Sequence, residues 1–84
     1  QSPLAHGLDL EIHAATKYLG GHSDVLAGVV VGRRDFVERV RACQRLLGGV
    51  IEPHAAFLLR RGLQTLSIRV EKIEANARFI AQQL

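Results

Sequence analysis

The sequence predicts an α/β fold, a strand-loop-strand unit followed by three helices, and three observations carry that expectation. Two short stretches, "LDLEIH" (8–13) and "VLAGVVVG" (25–32), have strand character and flank a segment without period. Downstream, apolar residues recur at spacings of three and four over two separate runs. Between those runs, glycines and a Glu-Pro pair punctuate the chain in the order of a helix stop and a helix start.

After Pro3, "LDLEIH" alternates loosely and ends in Ile12 and His13, a short strand. From Ala15 to Ser23 lies a loop, in which Gly20 and Gly21 permit a sharp turn. "VLAGVVVG" is rich in β-branched residues and bounded by Gly32, which predicts a second, well-buried strand with Gly28 at a close backbone approach. Asp35 is the expected N-cap of the first helix, whose Phe36, Val40, Cys43 and Leu47 form one face and which stops at Gly48 and Gly49. Glu52-Pro53 restarts the chain into a short helix, "HAAFLLRRG", closed by Gly62. The last helix is the most periodic. Leu66, Val70, Ile73, Ala77, Ile80 and Leu84 share one face, Arg69, Glu71, Lys72, Glu74 and Arg78 the other, and Thr65 is the expected cap. Two strands are marginal as a sheet in water, so the pattern reads as part of a larger α/β sheet. The expected division is a strand-loop-strand unit over 1–34, two helices over 35–62 and a long amphipathic helix over 63–84.

An 84-residue chain buries only about 60–65% of its unfolded surface, too little for a deep, water-excluding site of its own. Its longest apolar stretch, Val25 to Val31, is far short of the ~20 residues of a membrane span, so no membrane partner is expected. The first residues carry neither an initiator methionine nor a leader pattern, and the chain reads as the middle of something longer. Cys43 is the only cysteine, which excludes an internal disulfide and is compatible with a reducing cytoplasm. The net charge of +3 comes from nine arginines and two lysines, spread without interleaved aromatics, which favours a solvated surface over a nucleic-acid interface.

The candidate chemistry centres on "HAATKYLGGHSDVLAG" (13–28), where Lys17 stands beside Thr16 and Tyr18. By itself Lys17 reads as a solvated loop amine. The alternative is a Schiff-base lysine between two buried strands, which requires burial or a cationic neighbour to keep the amine partly deprotonated, with Thr16 donating to an anion such as a phosphate. Gly20 and Gly21 precede no lysine and so form no P-loop. His13, His22 and Asp24 match no zinc spacing, so no metal is expected, and Ser23 lacks the elbow of a hydrolase nucleophile. Cys43 reads as core packing.

"IHAATKYLGGHSDVLAGVVVG" resembles the lysine-bearing segment of the Cys/Met-metabolism pyridoxal-phosphate enzymes, the family of cystathionine γ-synthase, the cystathionine lyases, methionine γ-lyase and the O-acyl-homoserine sulfhydrylases. Its pattern there is approximately His-Ser-x-Thr-Lys-Tyr, two small residues, then His-x-Asp and a hydrophobic strand. A second block, "EPHAAFLLRRGLQTLSIRV" (52–70), is similar to the family's Arg-Gly-Leu-x-Thr-Leu stretch and leads into a helix carrying Asn76. The resemblance implies a piece of the large cofactor-binding domain of a fold-type I, aspartate-aminotransferase-like enzyme. It further implies pyridoxal 5'-phosphate as cofactor, Lys17 as the lysine of the internal aldimine, and Thr16 as a ligand of the cofactor phosphate. Ala14 departs from the pattern, standing where the family carries a serine that donates to the phosphate. The implied reaction is β- or γ-elimination, or γ-replacement, on cystathionine, homoserine esters or related amino acids, in a cytoplasmic homotetramer. In the family the ring-pairing aspartate, the stacking aromatic and the phosphate loop lie upstream and the carboxylate-binding arginine downstream, so these residues alone are expected to be inactive. A reading without the resemblance is a stand-alone interaction module docking through Leu66, Val70, Ile73 and Ile80.

Overall fold

A computed structural model describes residues 3–84. After a 3-10 turn at Pro3–His6, strand β1 (Leu10–Ala14) pairs antiparallel with β2 (Gly28–Gly32), with Leu10 opposite Gly32 and Ala14 opposite Gly28. Helices α1 (Arg34–Leu47), α2 (Pro53–Leu63) and α3 (Leu66–Ala81) follow. The expected order of elements is therefore present. The hydrogen-bond ladder runs past both strand ends, from Arg33 N–H to the Asp9 carbonyl and from Thr16 N–H to the Ala27 carbonyl, so the hairpin is pinned at its mouth and at the base of its long loop.

Several local expectations are corrected. The second strand is not well buried, because α1 covers it only in part, and Val31 is exposed. Gly28 makes no close approach; a Cβ there would meet only the His13 carbonyl, at 3.9 Å. Asp35 does not cap α1. Arg33 holds the N-cap position without a side-chain cap, and Asp35 sits in the first turn, where its carboxylate faces the helix dipole and pairs with Arg33 at 2.9 Å. The stop at Gly48 stands, in the left-handed conformation at φ 74. Glu52 is the strong cap, its carboxylate accepting from His54 and Ala55 N–H at 3.1 and 2.6 Å, with Pro53 in the first turn needing no partner.

Gly62 does not close α2. The helix runs through it to Leu63, and Gly62 is buried where α2 meets the Gly20 carbonyl, so its role is close packing rather than termination. Thr65 stands at the N-cap of α3 but makes no capping bond; its hydroxyl donates to the Gly62 carbonyl and accepts from Arg69. The helix ends at Ala81, leaving Leu84 beyond it and fully exposed. Cys43, expected in a core, is exposed on an open groove between α1 and β2.

The radius of gyration, 15.5 Å, exceeds the roughly 12 Å of a compact domain of this length. Among the described residues only Ala15 and Val25 form a buried apolar core. With the buried glycines Gly20 and Gly62, they surround the base of the loop that carries Lys17. The one dry region among the described residues is thus the seat of that loop.

Candidate functional site

The loop joining β1 and β2 is held by its own backbone. Lys17 N–H donates to the Ala14 carbonyl at 3.1 Å, the Lys17 carbonyl accepts from Gly21 N–H at 2.8 Å, and Gly20 N–H reaches the Ala15 carbonyl at 2.8 Å. The two turns fold the chain back over Ala15, and Gly21, at φ 79, reverses it. At the loop's base, Thr16 Oγ1 accepts from Ala27 N–H at 3.1 Å while its proton has only the Ala27 carbonyl, at 3.4 Å. That proton is loosely held and free to turn toward a better acceptor.

Lys17 projects from this frame. It is exposed, and its Nζ makes no hydrogen bond or ion pair among the described residues. It stands where two grooves meet. One, of ≈ 860 Å³, carries the hydroxyls of Thr16, Tyr18 and Ser23 and the cationic side chains of Arg69 and Lys72 on a largely apolar wall. The other, of ≈ 640 Å³, is apolar, with Ile12, Leu19, Leu66, Val70 and Ile73 along it. Hydroxyls and cations on one side of an amine and aliphatic side chains on the other suit an anionic head joined to a flat, partly apolar body. The first half of the α3 stripe therefore lines the groove beside Lys17.

Thr16 and Lys17, adjacent in the chain, share one groove with Ser23, His13 borders the other groove beside Lys17, and His22 and Asp24 lie apart. His13 pairs with Glu11 on β1. His22 donates from Nδ1 to the Gly20 carbonyl at 2.9 Å, and with Asp24 it lines a small pocket next to Arg61 on the far side of the loop. Ala14 ends β1 and offers a methyl group where a hydroxyl would stand.

Arg69 carries the largest correction. Periodicity puts it on the charged face of α3, yet it is half-buried and turned onto the loop, with its guanidinium on the carbonyls of Tyr18 and Gly62, each at 2.7 Å. No local pattern announces a contact between residues 51 apart. The one available signal was the glycine pair, since Gly21 leaves space that the guanidinium fills.

A family model described as Cys/Met metabolism PLP-dependent enzyme matches residues 1–84. Over its full length the chain is 48% identical to an L-methionine gamma-lyase of Pseudomonas deceptionensis and 48% identical to a cystathionine gamma-lyase of Bacillus subtilis, covering 22% of each. It matches the crystal structure of an apo methionine gamma lyase from Micromonospora echinospora with a TM-score of 0.78 at 45% identity, over 81% of this chain and 19% of that one. The chain spans about a fifth of the length of these relatives.

Proposed function

The chain belongs to the family of Cys/Met metabolism PLP-dependent enzymes, and from that premise we propose that Lys17 is the residue through which the protein holds pyridoxal 5'-phosphate and moves protons on its substrate. The observation that carries this reading is the amine itself. It is unpaired among the described residues, stands at the junction of a cationic groove and an apolar one, and sits on the only loop with a buried seat. The proposed reaction is β- or γ-elimination, or γ-replacement, on a sulfur amino acid or homoserine ester such as cystathionine.

The donor set fits the group. Thr16 supplies a hydroxyl proton that is free to turn from the Ala27 carbonyl to a phosphate oxygen, while Ala27 N–H keeps the oxygen in place. Its absent neighbour is a hydroxyl at Ala14, so the phosphate is held here by one donor fewer than the family pattern provides. When bound, the cofactor supplies an electron sink that spreads the charge developing at the substrate Cα. Lys17 Nζ would take the Cα proton of the substrate and return it later in the cycle, a task for which its unpaired amine is suited. The backbone bonds at Lys17 N–H and C=O keep the Cα of that side chain from drifting.

The exposed apolar faces of α1 and α3 support a protein whose remaining length covers them, with this chain as part of the cofactor domain in a cytoplasmic homotetramer. No helix among the described residues is long and apolar enough to cross a membrane. The 84 residues alone are expected to show no turnover. The test is to load the full-length protein with pyridoxal 5'-phosphate, reduce with borohydride and map the adduct. Label on Lys17 is expected, and label at another lysine overturns the assignment. Products from L-cystathionine and from O-succinylhomoserine then separate a lyase from a synthase.

A further inference from the structure

The loop bearing Lys17 meets α3 through Arg69, whose charge borders the groove beside the lysine while its donors are turned onto protein acceptors. Arg69 donates from Nη1 to the Tyr18 carbonyl at 2.7 Å, from Nη2 to the Gly62 carbonyl at 2.7 Å and from Nε to Thr65 Oγ1 at 3.1 Å. Its guanidinium lies on Gly21, where any Cβ would overlap it. Among the described residues no carboxylate pairs with it, so the charge is given over to backbone dipoles. A planar fork of donors can serve three acceptors at fixed angles; a lysine ammonium, a point charge, cannot span them.

The consequence lies in what the loop holds by itself. Lys17 N–H and C=O are both engaged inside the loop, so residues 14–21 move as one unit. The direction of that unit relative to the helices is left to its outer contacts, and the strongest of these are the carbonyl of Tyr18, next in the chain after the lysine, and the seat of Gly20 on Gly62. We propose that Arg69 is a positioning residue for Lys17, clamping the lysine loop to the α2–α3 corner so that Nζ is aimed between the two grooves. The inference rests on the reading of Lys17 as the cofactor lysine. It assigns Arg69 no contact with cofactor or substrate.

The test uses the full-length protein and the variants Arg69→Gln and Arg69→Lys, with Arg78→Gln, an exposed partner of Glu74, as a control. Three quantities are read: the rate of borohydride-trapped pyridoxal 5'-phosphate attachment at Lys17, amide exchange at Gly20 and Gly21 in cofactor-free protein, and kcat and KM with L-cystathionine. For Arg69→Gln the trapping rate and kcat are expected to fall roughly 10- to 100-fold, as for a misplaced catalytic group, with KM within about twofold. Exchange at both glycines accelerates, Arg69→Lys falls between the two, and the control matches wild type. Unchanged trapping in folded Arg69→Gln overturns the proposal, and so does a raised KM at constant kcat, which makes Arg69 a direct ligand. Should Arg69→Gln not fold, wild-type trapping and exchange in Arg69→Lys overturn it equally. Wild-type label away from Lys17 is a different failure, since it removes the functional reading itself.

Discussion

The lysine loop and helix α1 both lie against the hairpin, and they are held in opposite ways. Every buried residue among those described belongs to the loop region or to Gly62 beneath it, whereas α1, 14 residues long and amphipathic, has none. The loop is closed by small residues, backbone carbonyls and a guanidinium, contacts that need little apolar area. The face of α1 needs area instead. Leu46 and Leu47 remain 86% and 85% exposed, and each side chain forgoes the ~1.5–3 kcal/mol that full burial provides. The loop is thus held by local contacts, while the other region leaves its apolar face largely without contacts.

The most severe way to break this contrast is at the amine. Lys17→Ala is expected to remove the borohydride-trapped adduct and to lower turnover of the full-length protein on the order of a thousandfold, with folding unchanged by circular dichroism. Next comes the seat. Gly62→Ala favours the helix by ~1 kcal/mol in propensity but drives a methyl group into the Gly20 and Leu19 carbonyls, and backbone cannot step aside as a side-chain tip can. A net loss of about 1–3 kcal/mol is expected in denaturant titration, with slower attachment at Lys17. Thr16→Val tests the base of the loop. It leaves Ala27 N–H without its acceptor and removes a phosphate donor, so cofactor affinity measured by equilibrium dialysis should fall roughly tenfold.

The smallest effect sharpens the other side. Cys43 is exposed on the groove over β2, and in the 84-residue chain it should react with a thiol reagent as readily as after denaturation. In the full-length protein it should be protected, because the apolar face it shares with Val40 and Leu47 is then covered. Cys43→Ser in the short chain should change stability by no more than about 0.5 kcal/mol.

Periodicity and punctuation made the order of elements legible, since spacing, Glu52-Pro53 and Gly48 act within a few residues. The roles proposed for Thr16 and Lys17 rest on a contiguous motif. What escaped the sequence depends on contacts between distant segments. Gly62 reads as a stop because glycine ends helices, and only the loop lying on it turns that residue into a packing position. Arg69 reads as surface because its helix neighbours are charged, and its acceptors lie in another element. The burial expected for β2 failed for a related reason: a β-branched run describes what a strand can bury, and its cover must come from elsewhere.

The contact of Arg69 with the Tyr18 carbonyl bridges 51 positions of chain. Closing so long a segment costs on the order of 3–4 kcal/mol of chain entropy before the contact gives anything back. The anchoring of the lysine loop therefore comes late. The hairpin loop and the turns around Lys17 close through bonds within residues 14–27, whereas the contact of the loop with α3 needs Arg69 in place. The loop that carries Lys17 is thus anchored to the helices only once α3 exists.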